Sequence, residues 1–305
     1  MTTQAGAGPM QVAAPLVSHD ERAASGLLLP LGVVLIGVTL IPIAYSFWTS
    51  LYALNLRRPR LVPFVGLDNY GAVLSSPAFI AAVARTASFT VMAVTAVSVI
   101  ALLVALLLNQ EFPGRRVLSA CLLIPWAIPS VANGLMWKWI YDANYGALNG
   151  LLLQLGVIQH GMIWLGDPSR TLPLIANAFV WKEVPLAAIL LLVNLKAIPA
   201  DLHAAARVDG APAWQRFRHV TLPALRPGFT LVAVYEAMVA VRHFDLFFLL
   251  TEGGPGNASD VVAWRVYVET FRNLNFGLGA AMAYILALAT LLMSYGFIRA
   301  LAQRV

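Results

Sequence analysis

The chain has 305 residues, of which 60% are hydrophobic and 11% charged, with a mean hydropathy of +0.76. Soluble domains average roughly 25% charged residues, so an ordinary soluble domain is excluded, as are a disordered and a collagen-like chain. The net charge of +6 comes from basic residues set between apolar runs, which fits anionic lipid and membrane orientation rather than nucleic acid.

The first 26 residues are rich in Ala, Gly, Pro and Thr and end in Ser18-His19-Asp20-Glu21-Arg22. They read as a disordered cytoplasmic tail, followed by a membrane domain over residues 27–305. No positive segment precedes the first apolar run, and that run is too long for a signal peptide, so it is expected to be retained. A spanning helix needs about 20 mostly apolar residues. Six stretches qualify: Leu27–Ser50, Ala84–Leu108, Leu118–Tyr141, Thr171–Leu195, Phe229–Leu250 and Gly277–Ala300. The predicted fold is therefore an all-α integral membrane bundle of six transmembrane helices. The Pro113-Gly114-Arg115-Arg116 loop and the arginines Arg299 and Arg304 place both termini in the cytoplasm.

Span three contains the lone cysteine, Cys121, which cannot form an internal bridge and reads as a small buried apolar residue. It also carries Asn133, Trp137 and Lys138, secondary candidates for a polar site. Ala147–Ile158 is apolar but short and is broken by Asn149-Gly150 and Gln154, so an interfacial helix is expected there. Trp48 and Trp139 lie near span ends, where tryptophan anchors a helix at the interface. Span four carries Asn177, Trp181, Lys182 and Glu183. An ionisable group inside a span marks function by default. Adjacent helix residues point about 100° apart, so Lys182 and Glu183 are expected to diverge, one to a cavity and the other to a neighbouring helix.

Between spans four and five runs the polar segment Ile198–Pro227, IPADLHAAARVDGAPAWQRFRHVTLPALRP. Asp201–Val208 is helix-forming, Asp209-Gly210 has turn chemistry, and Pro212 suits the start of a second short helix through about Arg218. Pro223 and Pro227 then reset the chain before span five. The small face of Ala204, Ala205 and Ala206 with the anchors Trp214 and Phe217 has the composition for seating a helix in a partner's groove. Span five places Glu236, Val239, Ala240 and His243 on one face, with Arg242 and Asp245 nearer the outer end as an exposed pair. Asn177, Trp181, Glu183, Glu236 and His243 combine hydrogen-bonding groups with an aromatic ring. Alternatively, Lys182, Glu183 and Glu236 pair with a second subunit across the bundle interface.

Catalytic signatures are missing. The sequence holds no GxxxxGK[ST], HExxH, CxxC or GxSxG, and its five histidines have no ligand spacing on one helix face. No enzyme activity, metal or bound cofactor is expected of this chain.

The loop of residues 198–227 resembles the EAA loop of permease subunits in binding-protein-dependent ABC importers, which runs E-A-A-x-x-x-G followed by apolar residues and L-P. The residues that carry the resemblance are Ala204-Ala205-Ala206, Asp209-Gly210-Ala211, Phe217, Leu222-Pro223 and Pro227. D-G-A and the ending L-P-x-L-x-P look like the carbohydrate-importer branch. Phe64-Val65-Gly66-Leu67-Asp68-Asn69-Tyr70 and Gly253-Gly254-Pro255-Gly256 are similar fragments. One departure is that the family's glutamate falls at Ala204, which removes a charged contact. Neighbouring Asp201 or Arg207 could compensate for it. The resemblance covers residues 27–300. It implies a permease in a bacterial cytoplasmic (inner) membrane, paired with a second homologous permease and with two ATPase subunits. Those subunits would hold ATP and Mg and would receive Ala204–Arg207, Asp209–Ala211, Phe217, Leu222 and Pro223. It further implies an external binding protein that delivers a disaccharide, trehalose being the expected one, to a site in the middle of spans four and five. The rival reading is an ion-driven secondary transporter working through Glu183 and Glu236.

Overall fold

The computed structural model describes residue 30 and residues 32–302. The expected tail over residues 1–26 and the start of span one at Leu27 lie outside the described residues. Contacts divide the chain into two compact units, residues 1–49 and 50–305. Helix α1 (Gly32–Ser50), which lies in the first unit up to Thr49, is long and apolar enough to span a membrane and contains a π-helical turn at Leu35–Leu40.

Among the described residues the second unit is helical apart from two isolated bridges, Tyr52–Phe64 and Asn55–Asn275. Its elements are α2 (Asp68–Ser75), α3 (Pro77–Asn109), α4 (Arg115–Ala127), α5 (Ser130–Ile140), α6 (Ala147–Gln154) and α7 (Pro168–Lys196). They continue as α8 (Ala200–Val208), α9 (Ala213–Ala224), α10 (Arg226–Val241), α11 (Asp245–Leu250), α12 (Val262–Tyr267) and α13 (Phe276–Ala302). The two long central helices begin alike. Ser76 accepts from the Phe79 amide ahead of Pro77, and Asp167 accepts from the Ser169 amide ahead of Pro168. A side-chain cap followed by proline satisfies one orphan donor and presets the first helical φ. The Ser169 hydroxyl and amide together hold the Asp167 carboxyl below the usual carboxylate range.

The core lies between α3, α7 and α10. Along α3, Ala93, Val97, Ala101 and Ala105 recur every fourth residue and are fully buried. Small side chains at that spacing let α7 approach closely, which is how helices gain packing in lipid, where association has no hydrophobic drive. Phe89 then fills the gap, edge-on to Phe179 at 5.7 Å and to Phe247 at 4.9 Å. Gly228 on α10 is a close approach of another kind. A Cβ there would lie 2.8 Å from the Asn194 side chain of α7. Gly228→Ala should therefore lower the thermal stability of the detergent-purified protein by about 1–3 kcal/mol, the usual cost of overpacking. Adding Asn194→Ala should recover most of that loss, and a double variant as unstable as Gly228→Ala would show that this contact is not the cause.

Among the described residues, four helices are long and apolar enough to cross a membrane, or six if each bent pair is one span. Two predicted spans differ from straight rods. Span three is broken by a 94° bend between α4 and α5. Ile128 before Pro129 is extended at ψ 129°, because the proline ring excludes helical geometry from its predecessor. Span five ends as a helix at Val241, and α11 restarts at Asp245. Interrupted backbone at membrane depth is tolerated only where protein or a wet cavity covers it. Cys121, expected to be buried, is exposed on α4, where an apolar thiol suits lipid.

Candidate functional site

Two sites emerge from these elements, one inside the bundle and one at the end of α7.

The inner site is built on α7, α10 and the α10–α11 break. Glu183 is 3% exposed and Glu236 fully buried. Contrary to the expected divergence, Lys182 and Glu183 meet, with Nζ 3.4 Å from Oε1. The long lysine chain folds back to the one carboxylate within reach, because an unpaired ammonium in this environment would be costly. Glu236 on α10 and His243 in the break after it lie on elements that pack against α7, where Phe179 touches the His243 ring. Their hydrogen-bonding capacity is largely unused. Glu183 Oε2, both Glu236 oxygens, His243 Nε2 and Asn133 Oδ1 are buried without a partner. Pro185 adds a backbone acceptor, because it lacks the N–H that would bond to the Trp181 carbonyl. The Trp137 Nε1 donor is unpartnered as well, and because buried polar atoms are normally satisfied, this concentration of unused donors and acceptors marks a place suited to a further polar partner.

An aromatic wall stands beside it. Trp181 meets Trp137 edge-on at 6.1 Å, and Trp137 lies 5.1 Å from Tyr141. The Tyr141 hydroxyl donates to the Leu174 carbonyl at 3.1 Å and accepts from Asn177 Nδ2 at 3.0 Å. Asn133 Nδ2 donates to the Ala178 carbonyl at 3.2 Å, which fixes α5 against α7. Phe179 packs edge-on to His243 at 5.2 Å. Asn177 and Trp181 thus line the aromatic wall, Lys182 and Glu183 form a pair, and Glu236 and His243 lie on the elements packed against α7. Val239 is half-buried, and Ala240 is buried in the core. Lys138 is exposed, away from the cluster. Sequence reasoning passes over Tyr141 and Phe179. Their signals were helical spacing alone, Tyr141 one turn after Trp137 and Phe179 one turn before Glu183, and spacing does not distinguish a site from ordinary core.

The second site is the polar loop. After α8 the Gly210 amide donates to the Arg207 carbonyl at 3.1 Å and the Ala211 amide to the Ala206 carbonyl at 2.9 Å. That is a Schellman turn, and it requires a left-handed residue at Gly210, found at φ +75°. Arg216 closes the turn by donating to the Ala211 carbonyl at 2.7 Å. The second helix runs on to Ala224, further than Arg218, because a π-helical turn at Phe217–Thr221 carries it through Pro223. Its boundary with α10 is a 59° bend at Leu225, since Pro227 has no amide to offer the Pro223 carbonyl.

Ala204, Ala205, Arg207, Asp209, Gly210 and Leu222 are exposed, while Ala206, Ala211, Phe217 and Pro223 are partly covered. Val208 is 88% and Trp214 65% exposed, and Trp214 stacks on Phe217 at 5.6 Å. Asp201 and Arg207 are exposed and form no ion pair among the described residues. Clustered exposed apolar groups on a polar loop mark a protein contact. Among the described residues no group of three or more His, Cys, Asp or Glu could hold a metal ion.

Comparison with known proteins matches residues 97–305 to the family described as Binding-protein-dependent transport system inner membrane component. The Trehalose/maltose transport system permease protein MalF of Thermococcus litoralis is 37% identical over 260 residues, 85% of this chain and 86% of that protein. The Trehalose transport system permease protein SugA of Mycobacterium tuberculosis is 31% identical over 280 residues, 92% of this chain and 89% of that protein. Among solved structures, a bacterial ABC transporter involved in the import of the acidic polysaccharide alginate has a chain of the same fold. Its TM-score is 0.80 at 20% identity, covering 94% of this chain and 96% of that one.

Proposed function

The chain belongs to the family of binding-protein-dependent transport system inner membrane components, a family of transport subunits rather than enzymes, and on that premise we propose that it forms half of the pathway of an ATP-driven disaccharide importer. Trehalose is the favoured solute, since two relatives are named for its transport. The observation that carries this reading is the cluster of buried, unpartnered acceptors on α7 and α10 beside the Trp137–Trp181 wall. A neutral sugar offers many hydroxyl donors to such acceptors and apolar ring faces to the indoles. The only lysine in the cluster is already engaged by Glu183.

In the proposed mechanism a second, homologous permease completes the cavity, and an external binding protein delivers the sugar. Two cytoplasmic ATPase subunits, which supply ATP and Mg, receive the turn at Gly210 and the apolar tip around Val208 and Trp214. Nucleotide moves the cavity between its two openings only through different affinities for the two states. The short helices α8 and α9, joined by the Schellman turn at Gly210, are the part through which that difference passes. Both termini lie in the cytoplasm in this arrangement.

Purification of the tagged chain from its native host should bring down an ATPase subunit and a second permease, and the reconstituted assembly should take up labelled trehalose only with ATP. Uptake by this chain alone, driven by an ion gradient through Glu183 and Glu236, would replace this reading with the secondary-transporter one.

A further inference from the structure

A polar cleft of about 900 Å3 lies far from the candidate sugar site, at the end of the bundle that carries the α8–α9 loop. It is lined by Arg115 and Arg116 at the start of α4, Lys196 at the end of α7, Glu111 on the connection from α3, and the apolar Phe112 and Leu192. None of the three cations forms an ion pair among the described residues. Three cations against a single carboxylate leave the cleft with an excess of positive charge. The first turn of α4 adds to it, because no side chain caps that helix start.

The height of the cleft is fixed by its surroundings. On α3 the last outward apolar residues are Leu103, 61% exposed, and Leu107, 54% exposed, with Gln110 and Glu111 following. On α4 Val117, 68% exposed, and Leu118 follow directly after the arginines. On α7 Val193, 62% exposed, precedes Lys196. Three separate elements thus change from lipid-compatible to polar at one level, two of them (α4 and α7) to cationic, as at the boundary between acyl chains and headgroups. A free phosphate would use only the cations, and an acidic protein surface would have no use for the outward apolar side chains beneath them. An amphiphile with an anionic head uses both.

We propose that this cleft binds the phosphate headgroup of an anionic phospholipid, with its acyl chains along Leu107, Val117 and Val193. That the lipid belongs to the cytoplasmic leaflet rests on the reading of the α8–α9 loop as the ATPase contact. Basic pockets between spans on that face are suited to anionic headgroups.

The test uses the importer complex purified in a mild detergent from membranes containing phosphatidylglycerol and phosphatidylcholine, with retained lipid measured by mass spectrometry. The native complex should retain phosphatidylglycerol in preference, and the variant R115Q/R116Q/K196Q should lose that preference by about tenfold or more. The charge-keeping variant R115K/R116K should retain it, which separates loss of charge from loss of folding. Equal retention in R115Q/R116Q/K196Q and the native complex would overturn the proposal. So would displacement of phosphatidylglycerol by inorganic phosphate alone, which would make the cleft a free-anion site. A variant that sheds ATPase subunits yet keeps its lipid would assign the cleft to the motor instead. Recovery of a chain that never carries ATPase subunits, but shows the lipid preference, would sink the importer reading and leave this one standing.

Discussion

Gly210→Pro should reduce sugar-stimulated ATP hydrolysis of the assembled importer to its unstimulated level while leaving membrane insertion and yield unchanged. The position sits at φ +75°, and proline is locked near φ −65°, so the Schellman turn cannot form. Proline also removes the amide that donates to the Arg207 carbonyl at 3.1 Å. The turn aims α8 and α9 relative to each other, and with it Val208 and the Trp214–Phe217 pair. Coupling between two sites is commonly about 1–3 kcal/mol, so its loss should lower transport about 5–150-fold. Gly210→Ala is the graded control. A Cβ there meets no atom within 4 Å, so only the left-handed backbone penalises it, by about 1–2 kcal/mol. Its transport should fall between native and Gly210→Pro. Full stimulation in Gly210→Pro would mean that the loop does not couple the ATPases to the cavity.

Glu236→Gln should move stability and transport in opposite directions. The side chain is fully buried, and neither carboxylate oxygen has a hydrogen-bond partner. Burying an unpaired carboxylate is costly, so the amide should leave the thermal midpoint of the purified chain unchanged or raise it. A hydrogen bond contributes about 0.5–1.5 kcal/mol net, so losing one to a sugar hydroxyl should cut trehalose uptake by about two- to tenfold. A group kept at a cost in stability and needed for activity is the signature of a functional site. The rival is the partner-permease interface. There the same change would lower the yield of the assembled complex, and normal sugar affinity in whatever complex survived would decide for that alternative.

Much of this was legible in the sequence because membrane and loop signals are local. Long apolar runs identify α3, α7 and α13 to within a few residues, except at the start of α3, which lies seven residues before the predicted one. There the cap Ser76-Pro77 opens a helix that the hydropathy of Ala84–Leu108 does not register. The Asp209-Gly210 turn was readable because a left-handed position after a helix favours glycine. Leu118–Tyr141 read as one uninterrupted span, and the 94° bend beside Pro129 was not legible, because apolar runs record length and not direction.

Composition alone determined that this chain lives in lipid, since its charge is too sparse for a water-facing surface and its apolar runs are long enough to span. The sequence also marked the polar residues that disturb those runs, Glu183, Glu236 and His243 among them. Only the tertiary structure decided which of them act together. Lys182 and Glu183 turned out to be a pair, Ala240 a core residue, and Glu236 an acid without a partner. That outcome depends on how α7 and α10 approach one another, and the approach is set by residues distant in sequence, such as Gly228 against Asn194.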